Sequence, residues 1–460
     1  MNGSKRNIVL LITVSIPFLF SSCTGDEIGS DSTIGNVESL PLITPNGDEQ
    51  YLNLESDYVF DQENLRTYDL YIPETSFSQL NEDPAAEEYV EGMLVFEGDT
   101  ISPVGIRYKG SVGAFVGCVS GSDWFDPSGH KICTKLSMKV KINWEGREER
   151  FFGLNKLQFH SMNNDPSQLH ERLAYWIYRE MGVKAPRSVH ARLRINGQYN
   201  GLYAFTEQID GRFVKENFDD RDGNLYKEIW PLNMNGQPFP EQDYLNALKT
   251  NEDENPSAAL MLDFGNSIAA ATPSEEQSIL EQFMDVEELM AQVAVDRTIR
   301  HDDGPFHWYC FFGGCASHNF YWYEEPTTQK LYLIPWDMDN AFENILSPAN
   351  GITPIADAWG DISNNCLPFQ YLDAYQWSAC CDKLTRIWSD YDDLFQAKKD
   401  DLMSGPLEES NTEAVLQAWI DQIEASTLEA DAQFEDAISL AQWQAAVLKL
   451  REQLEYARNH

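Results

Sequence analysis

Basic residues are scarce in this 460-residue chain: 33 Lys and Arg stand against 74 Asp and Glu, giving a formal net charge of −41. A surface of that sign repels phosphate backbones and anionic headgroups, which excludes a nucleic-acid binder and any charge-driven membrane attachment. Cysteine occurs eight times, yet no Cys-x-x-Cys pairs with a second such unit, so a structural zinc site finds no support. No internal repeat is visible.

At the start, Lys5 and Arg6 precede an apolar run over 8–20, followed by Ser21, Ser22 and Cys23. A basic start, an apolar core of this length and small residues before a cut site describe a signal peptide over residues 1–22, not a spanning helix. Cys23 in this setting resembles the modified residue of a bacterial lipoprotein, which predicts an outer-membrane or cell-surface protein whose only tie to the membrane is a lipid at Cys23. Residues 23–50, rich in Gly, Ser, Asp, Thr and Pro, read as a flexible tether. Export makes disulfides the default for the remaining cysteines. Cys118 with Cys133 and Cys310 with Cys315 are plausible neighbours, and Cys366 has Cys380 or Cys381 to choose from.

Apolar alternation predicts strands over 68–72, 92–96, 101–108 and 136–142, the last with Lys135, Ser137, Lys139 and Lys141 on one face. A helix follows Asp165, with Leu169, Leu173, Trp176, Ile177 and Met181 at helical spacing until Gly182. Asn196-Gly197 between two apolar runs is a hairpin turn. Residues 233–278 read as acidic loop, 285–300 as helix, and 382–458 as mostly helical. This order fits an α+β enzyme ending in a helical subdomain.

The most informative stretch sets Asn319 before one β-prone run, 320–323, and Asp337 and Asp339 after a second, 331–336, with a turn between. Mg²⁺ takes a few carboxylate or amide oxygens and completes its shell with water and phosphate. One Asn and one or two Asp at the end of a strand pair therefore suggest phosphoryl transfer. Asp339 either joins the metal shell or caps the next segment.

Five motifs in chain order, Ile106-Arg107-Tyr108-Lys109-Gly110-Ser111, Ile195 to Tyr203 with Thr206-Glu207-Gln208-Ile209-Asp210, Gly223-Asn224-Leu225-Tyr226-Lys227, His318-Asn319-Phe320-Tyr321 and Pro335-Trp336-Asp337-Met338-Asp339, resemble the CotH (spore coat protein H) kinase family. The resemblance implies a divergent two-lobed protein-kinase-like fold. Its N-terminal lobe would occupy 51–210, its C-terminal lobe 211–381 and a helical subdomain 382–460. It implies ATP and Mg²⁺ or Mn²⁺ as cofactors, and a protein acceptor, Ser or Thr, at the cell surface or beyond it. None of the standard kinase strings is present. In that frame Asn319 and Asp337 hold metal, and the catalytic Asp comes from His301-Asp302-Asp303, with Asp303 matching better than Asp302. Either Lys135 or Lys139 grips phosphate while pairing with Glu171, Arg107 or Lys109 contacts phosphate from the Gly-containing turn, and Glu207 follows the strand where adenine would sit. The insertion over 304–317 must fold back for Asp303 to reach the metal, and a Cys310 to Cys315 bridge would pin it. A non-catalytic surface adhesin or structural lipoprotein of the same family is the main alternative. A glycan hydrolase using paired carboxylates explains neither Asn319 nor the lysines.

Overall fold

The computed structural model describes residues 55–460 apart from 111, 116, 124, 125, 149, 253–255, 312, 313, 347–364, 372 and 373. The signal segment, Cys23 and the tether lie outside the described residues. Those described belong to one compact unit.

Seven strands close a barrel: β1 (Arg66–Tyr71), β2 (Val90–Phe96), β3 (Asp99–Tyr108), β4 (Met138–Lys141), β5 (Lys156–His160), β6 (Ser188–Ile195) and β7 (Gln198–Thr206). Alternation builds its interior, because every second side chain points inward. Leu70, Leu94, Ile106, Met138, Val140, Phe159, Leu193 and Phe205 are all buried there. Neighbouring strands run antiparallel except β1 with β6, whose parallel pairing shuts the barrel. Asn196 and Gly197 both take positive φ, 50° and 79°, at the β6–β7 turn, as a tight hairpin requires. The Asn196 amide also bonds the Ile72 backbone in both directions, at 2.7 and 2.9 Å.

Helices α1 (Glu74–Glu82) and α2 (Val112–Phe115) decorate this part, and α3 (His170–Glu180) packs on β6. Asp165 organises the start of α3, accepting from the Ser167 N–H and from the His170 N–H, each at 2.8 Å. After the barrel come α4 (Gly211–Asn217), β8 (Leu225–Lys227), α5 (Glu241–Asn246), α6 (Ala259–Ala270), α7 (Glu276–Phe283) and α8 (Val286–Ile299). The acidic loop expected over 233–278 is therefore partly helical. Met261, Phe264 and Ile268 form a buried stripe on α6, and Gly265 lets that helix approach Pro231, whose carbonyl would lie 2.9 Å from any added Cβ. The acids of this stretch flank α6, which itself carries only Asp263.

Strands β9 (Trp308–Phe311) and β10 (Gly314–Ala316) join β13 (Phe369–Tyr371) and β14 (Ala374–Trp377) in a four-stranded sheet. Strands β11 (Phe320–Glu325) and β12 (Lys330–Pro335) pair with β8 in a three-stranded one. The chain ends in α9 (Lys383–Ser389), α10 (Asp392–Ser404), α11 (Glu409–Gln433) and α12 (Leu440–Asn459). Both α and β elements are thus present in the α+β arrangement expected. Disulfides join Cys118 to Cys133, Cys310 to Cys315 and Cys366 to Cys381. The third choice was open in the sequence, and the structure selects Cys381 over Cys380.

Candidate active site

Residues alternating with the barrel core point outward from β3, β4 and β5. Arg107, Lys139 and Gln158 stand side by side in register. Lys109, just past the end of β3, sends its Nζ to Gln158 Oε1 at 2.8 Å and to His160 Nε2 at 2.7 Å. His160 Nδ1 in turn lies 2.7 Å from Glu171 Oε1 on α3, and Thr206 Oγ1 donates to the same oxygen at 2.7 Å. With an ammonium donating to Nε2, the ring carries its proton on Nδ1 and donates it to the carboxylate. The helix glutamate therefore holds the lysine through a histidine. Burial pushes the Glu171 pKa up, but His160, Thr206 and Lys109 together hold it below the ordinary carboxylate value. The Lys109 ammonium also lies 5.5 Å from the centre of the Trp336 ring, one residue before Asp337.

The other basic candidates are placed elsewhere. Lys135 precedes β4, and its Nζ donates to the Leu202 carbonyl at 2.9 Å over the Tyr203 ring. Burial pushes its pKa down to about 8. The expected pairing of Lys135 or Lys139 with Glu171 is thus replaced by the Lys109 and His160 relay, because the Glu171 carboxylate faces the end of β5. Arg107 is paired with Glu87, and the same carboxylate accepts from the Gly110 N–H at 2.7 Å. Glu207 is buried and bound by Arg187 at 2.7 and 3.1 Å, which makes its side chain a brace between two chain segments.

The acidic side forms where β11 begins and β12 ends. Phe320 pairs with Pro335, and the Trp336 N–H donates to the Asn319 carbonyl at 3.0 Å. Asn319 and Asp337, flanking that pair, both take left-handed φ, 57° and 59°, a conformation Asn and Asp adopt more readily than other side chains. The Asp337 backbone is clamped twice. Its N–H donates to Tyr175 Oη at 3.1 Å, and its carbonyl lies 2.9 Å from His301 Nε2. Burial pushes the His301 pKa down, yet Asp296 and the Asp337 carbonyl outweigh it and hold that pKa above the ordinary value.

Helix α8 stops at Arg300, which turns left-handed at φ 50°, and the chain enters His301-Asp302-Asp303. Asp302 is fully buried; its carboxylate accepts from Asn344 Nδ2 and its carbonyl from Tyr309 Oη at 2.7 Å. Asp303 is partly exposed and accepts from Asn319 Nδ2 at 2.8 Å. The insertion folds back as a hairpin in which Cys315 faces Cys310 across β9 and β10, while the Tyr309 ring stacks with His318 at 5.8 Å. Replacing Cys310 and Cys315 together by Ser is expected to destabilise the protein by about 2 kcal/mol, as for a short closed loop. Amide exchange at Asp302 and Asp303 should speed up, which mass spectrometry under oxidising conditions would read out.

Asp339 completes the cluster. Its carbonyl lies 3.3 Å from His170 Nδ1. Burial raises its carboxyl pKa well above the ordinary value, and Asp337, Glu171, Asp303 and Glu343 add like-charge repulsion. Asp303 is likewise raised, by burial first and with Asp337 against the opposing His318 and His301. Carboxylates crowded in this way are a donor set that a divalent cation would relieve. Among the described residues no three His, Cys, Asp or Glu side chains are already set as a metal cage, so a cation here would draw part of its shell from the Asn319 amide, water and phosphate. A cleft of about 510 Å³ beside Met284, Lys330, Tyr332 and Tyr391 shares no residue with this cluster.

His160, Thr206, Tyr175 and His301 were not assigned roles from the sequence. The alternation of Lys156, Gln158 and His160 with buried Leu157 and Phe159 shows that His160 faces outward, but nothing local reveals Glu171 across from it.

A family model described as "CotH kinase protein" matches residues 106–459. Over 63 residues the chain is 36% identical to the "Inner spore coat protein H-like protein" of Bacillus subtilis (strain 168), a stretch covering 14% of this chain and 20% of that protein. The chain thus aligns with about a fifth of the length of this curated relative.

Proposed function

The chain belongs to the CotH kinase family, and from that premise we propose that it is an exported protein kinase of divergent two-lobed fold, transferring the γ-phosphoryl group of ATP to Ser or Thr hydroxyls. The observation that carries this reading is the 2.8 Å hydrogen bond between Asn319 and Asp303, made beside Asp337. It unites a base and a metal-binding amide across the cysteine-containing insertion.

In this reading Asp303 accepts a hydrogen bond from the acceptor hydroxyl and takes its proton as that oxygen bonds to the γ-phosphorus. The bond from γ-phosphorus to the β,γ-bridging oxygen breaks and ADP leaves. Raised by burial and by Asp337, the Asp303 carboxylate is a stronger base than an exposed aspartate. Asn319 and Asp337 would hold Mg²⁺ or Mn²⁺, with Asp339 closing the shell; the cation supplies charge neutralisation on the phosphate oxygens. Lys109, oriented by Gln158 and the His160–Glu171 relay, presents its ammonium to the phosphates.

Three disulfides suit an oxidising compartment, and among the described residues no helix is long and apolar enough to cross a membrane. A lipid at Cys23 would supply surface anchoring, and the acceptor would be a protein at the surface or outside the cell.

The test is label transfer from γ-labelled ATP with Mn²⁺ to the protein itself or to a generic acceptor. Lys109→Met should raise the KM for ATP by roughly 10- to 100-fold, the worth of one charge-assisted hydrogen bond. Lys135→Met should leave that KM in place. The reading fails if the native protein neither binds ATP nor transfers label.

A further inference from the structure

Helix α3 carries Glu171, and the next residue, Arg172, turns to a different neighbourhood. Its guanidinium is buried and bonds neutral partners: Nε to Gln62 Oε1 at 3.0 Å, Nη2 to the Gln62 carbonyl at 2.7 Å and Nη1 to Gln422 Oε1 at 2.8 Å. Nη1 also lies 2.7 Å from His190 Nδ1, which therefore accepts, leaving Nε2 to donate to the Gln168 carbonyl at 2.6 Å. The guanidinium sits 4.2 Å over the Trp419 ring. A charge buried mainly among neutral groups is costly, and a bonded network of this kind holds one arrangement against others.

Gln422 and Trp419 belong to α11, and the same helical pair holds the site at two further points. Trp443 of α12 donates to the Ser167 carbonyl at 2.9 Å, and Thr427 of α11 donates to Gln168 Oε1 at 3.1 Å, both just before α3. Farther along α12, the buried Gln453 donates its amide to the Phe342 carbonyl at 2.7 Å. Phe342 follows the Asp337–Asp339 segment and packs against His170 with ring centres 5.6 Å apart.

We propose that the C-terminal helical pair is a positioning brace for the site: α11 fixes the Glu171 helix through Arg172, and α12 fixes the segment after Asp339 through Gln453. The phosphate-gripping and metal-binding arms then keep one spacing. The inference rests on the kinase reading above. Gln422, Arg172 and Gln453 are positioning residues, acting through Glu171 and Asp337 without touching substrate.

Full-length Gln422→Leu and Gln422→Glu decide the matter by hydrogen exchange and by kinetics with ATP and Mn²⁺. Removing the acceptor should speed exchange in α3 and lower kcat about 10-fold, with the KM for ATP changed less than about threefold, the pattern of lost alignment. Gln422→Glu still accepts from Arg172, while losing the Gln422 Nε2 donor to the Gln62 carbonyl at 3.2 Å, and should restore most of both. Gln453→Leu should show the same loss with faster exchange at 337–342; if it does not fold, the Gln422 pair still decides. The brace is overturned if exchange in these segments is unchanged, if kcat per folded molecule is unchanged, or if Gln422→Glu does not restore them. Should the native protein transfer no phosphoryl group, the kinase reading falls by itself, and the exchange comparison still judges the brace.

Discussion

Asp303→Asn is expected to lower the single-turnover rate of phosphoryl transfer by about a thousandfold, within the range assigned to a positioned general base. ATP affinity should hardly move. The asparagine keeps an oxygen for the Asn319 Nδ2 donor now 2.8 Å from Asp303 Oδ2, so geometry survives while basicity is lost. Asp302→Asn is the informative companion. Its carboxylate is fully buried and bonded by Asn344, so that change should act on stability and leave the rate per folded molecule within a few-fold. A fast Asp303→Asn with an inert but folded Asp302→Asn would reverse the assignment.

Asp337→Asn should abolish Mn²⁺-dependent ATP binding and reduce transfer by a thousandfold or more, about 4 kcal/mol of barrier. Titration calorimetry with and without Mn²⁺ separates the two effects. The fold should tolerate the change, since Asn accepts the left-handed φ of 59° and the clamps from Tyr175 and His301 use only backbone atoms. Without metal the variant should melt at a higher temperature than the parent, because the repulsion that Asp337 adds to half-buried Asp339 disappears. Added Mn²⁺ should stabilise the parent and not the variant. A variant that binds Mn²⁺ and ATP as the parent does would remove Asp337 from the metal arm.

Much of the scaffold around these residues is legible from local pattern. Alternation over 101–108 and 136–142 marks β3 and β4, Asn196-Gly197 marks the β6–β7 turn, and the stripe of Leu173, Ile177 and Met181 marks α3. Asn319 and Asp337 are legible for the same reason, because each flanks a clear strand. The stripe of α6 lies between acidic stretches at 252–254 and 275–276, so residues 233–278 read as loop.

By itself the sequence determined which faces are apolar, where turns fall, and that an Asn and two Asp end one strand pair, since all of these depend on neighbours in the chain. Only the tertiary structure decided which lysine meets Glu171. Lys109, Lys135 and Lys139 are equivalent as isolated residues; the β3–β4–β5 register and the docking of α3 set His160 between Lys109 and Glu171 and turn Lys135 to the Leu202 carbonyl. The side-chain partners of Arg107 and Glu207 were decided likewise: Glu87 and Arg187, about twenty residues away. Whether Asp303 reaches Asn319 depended on the fold of the insertion, a matter of hairpin register and one disulfide. Pairing across a sheet is a long-range choice made by closure of the barrel and packing of helices upon it, and periodicity along one segment carries no record of its partner.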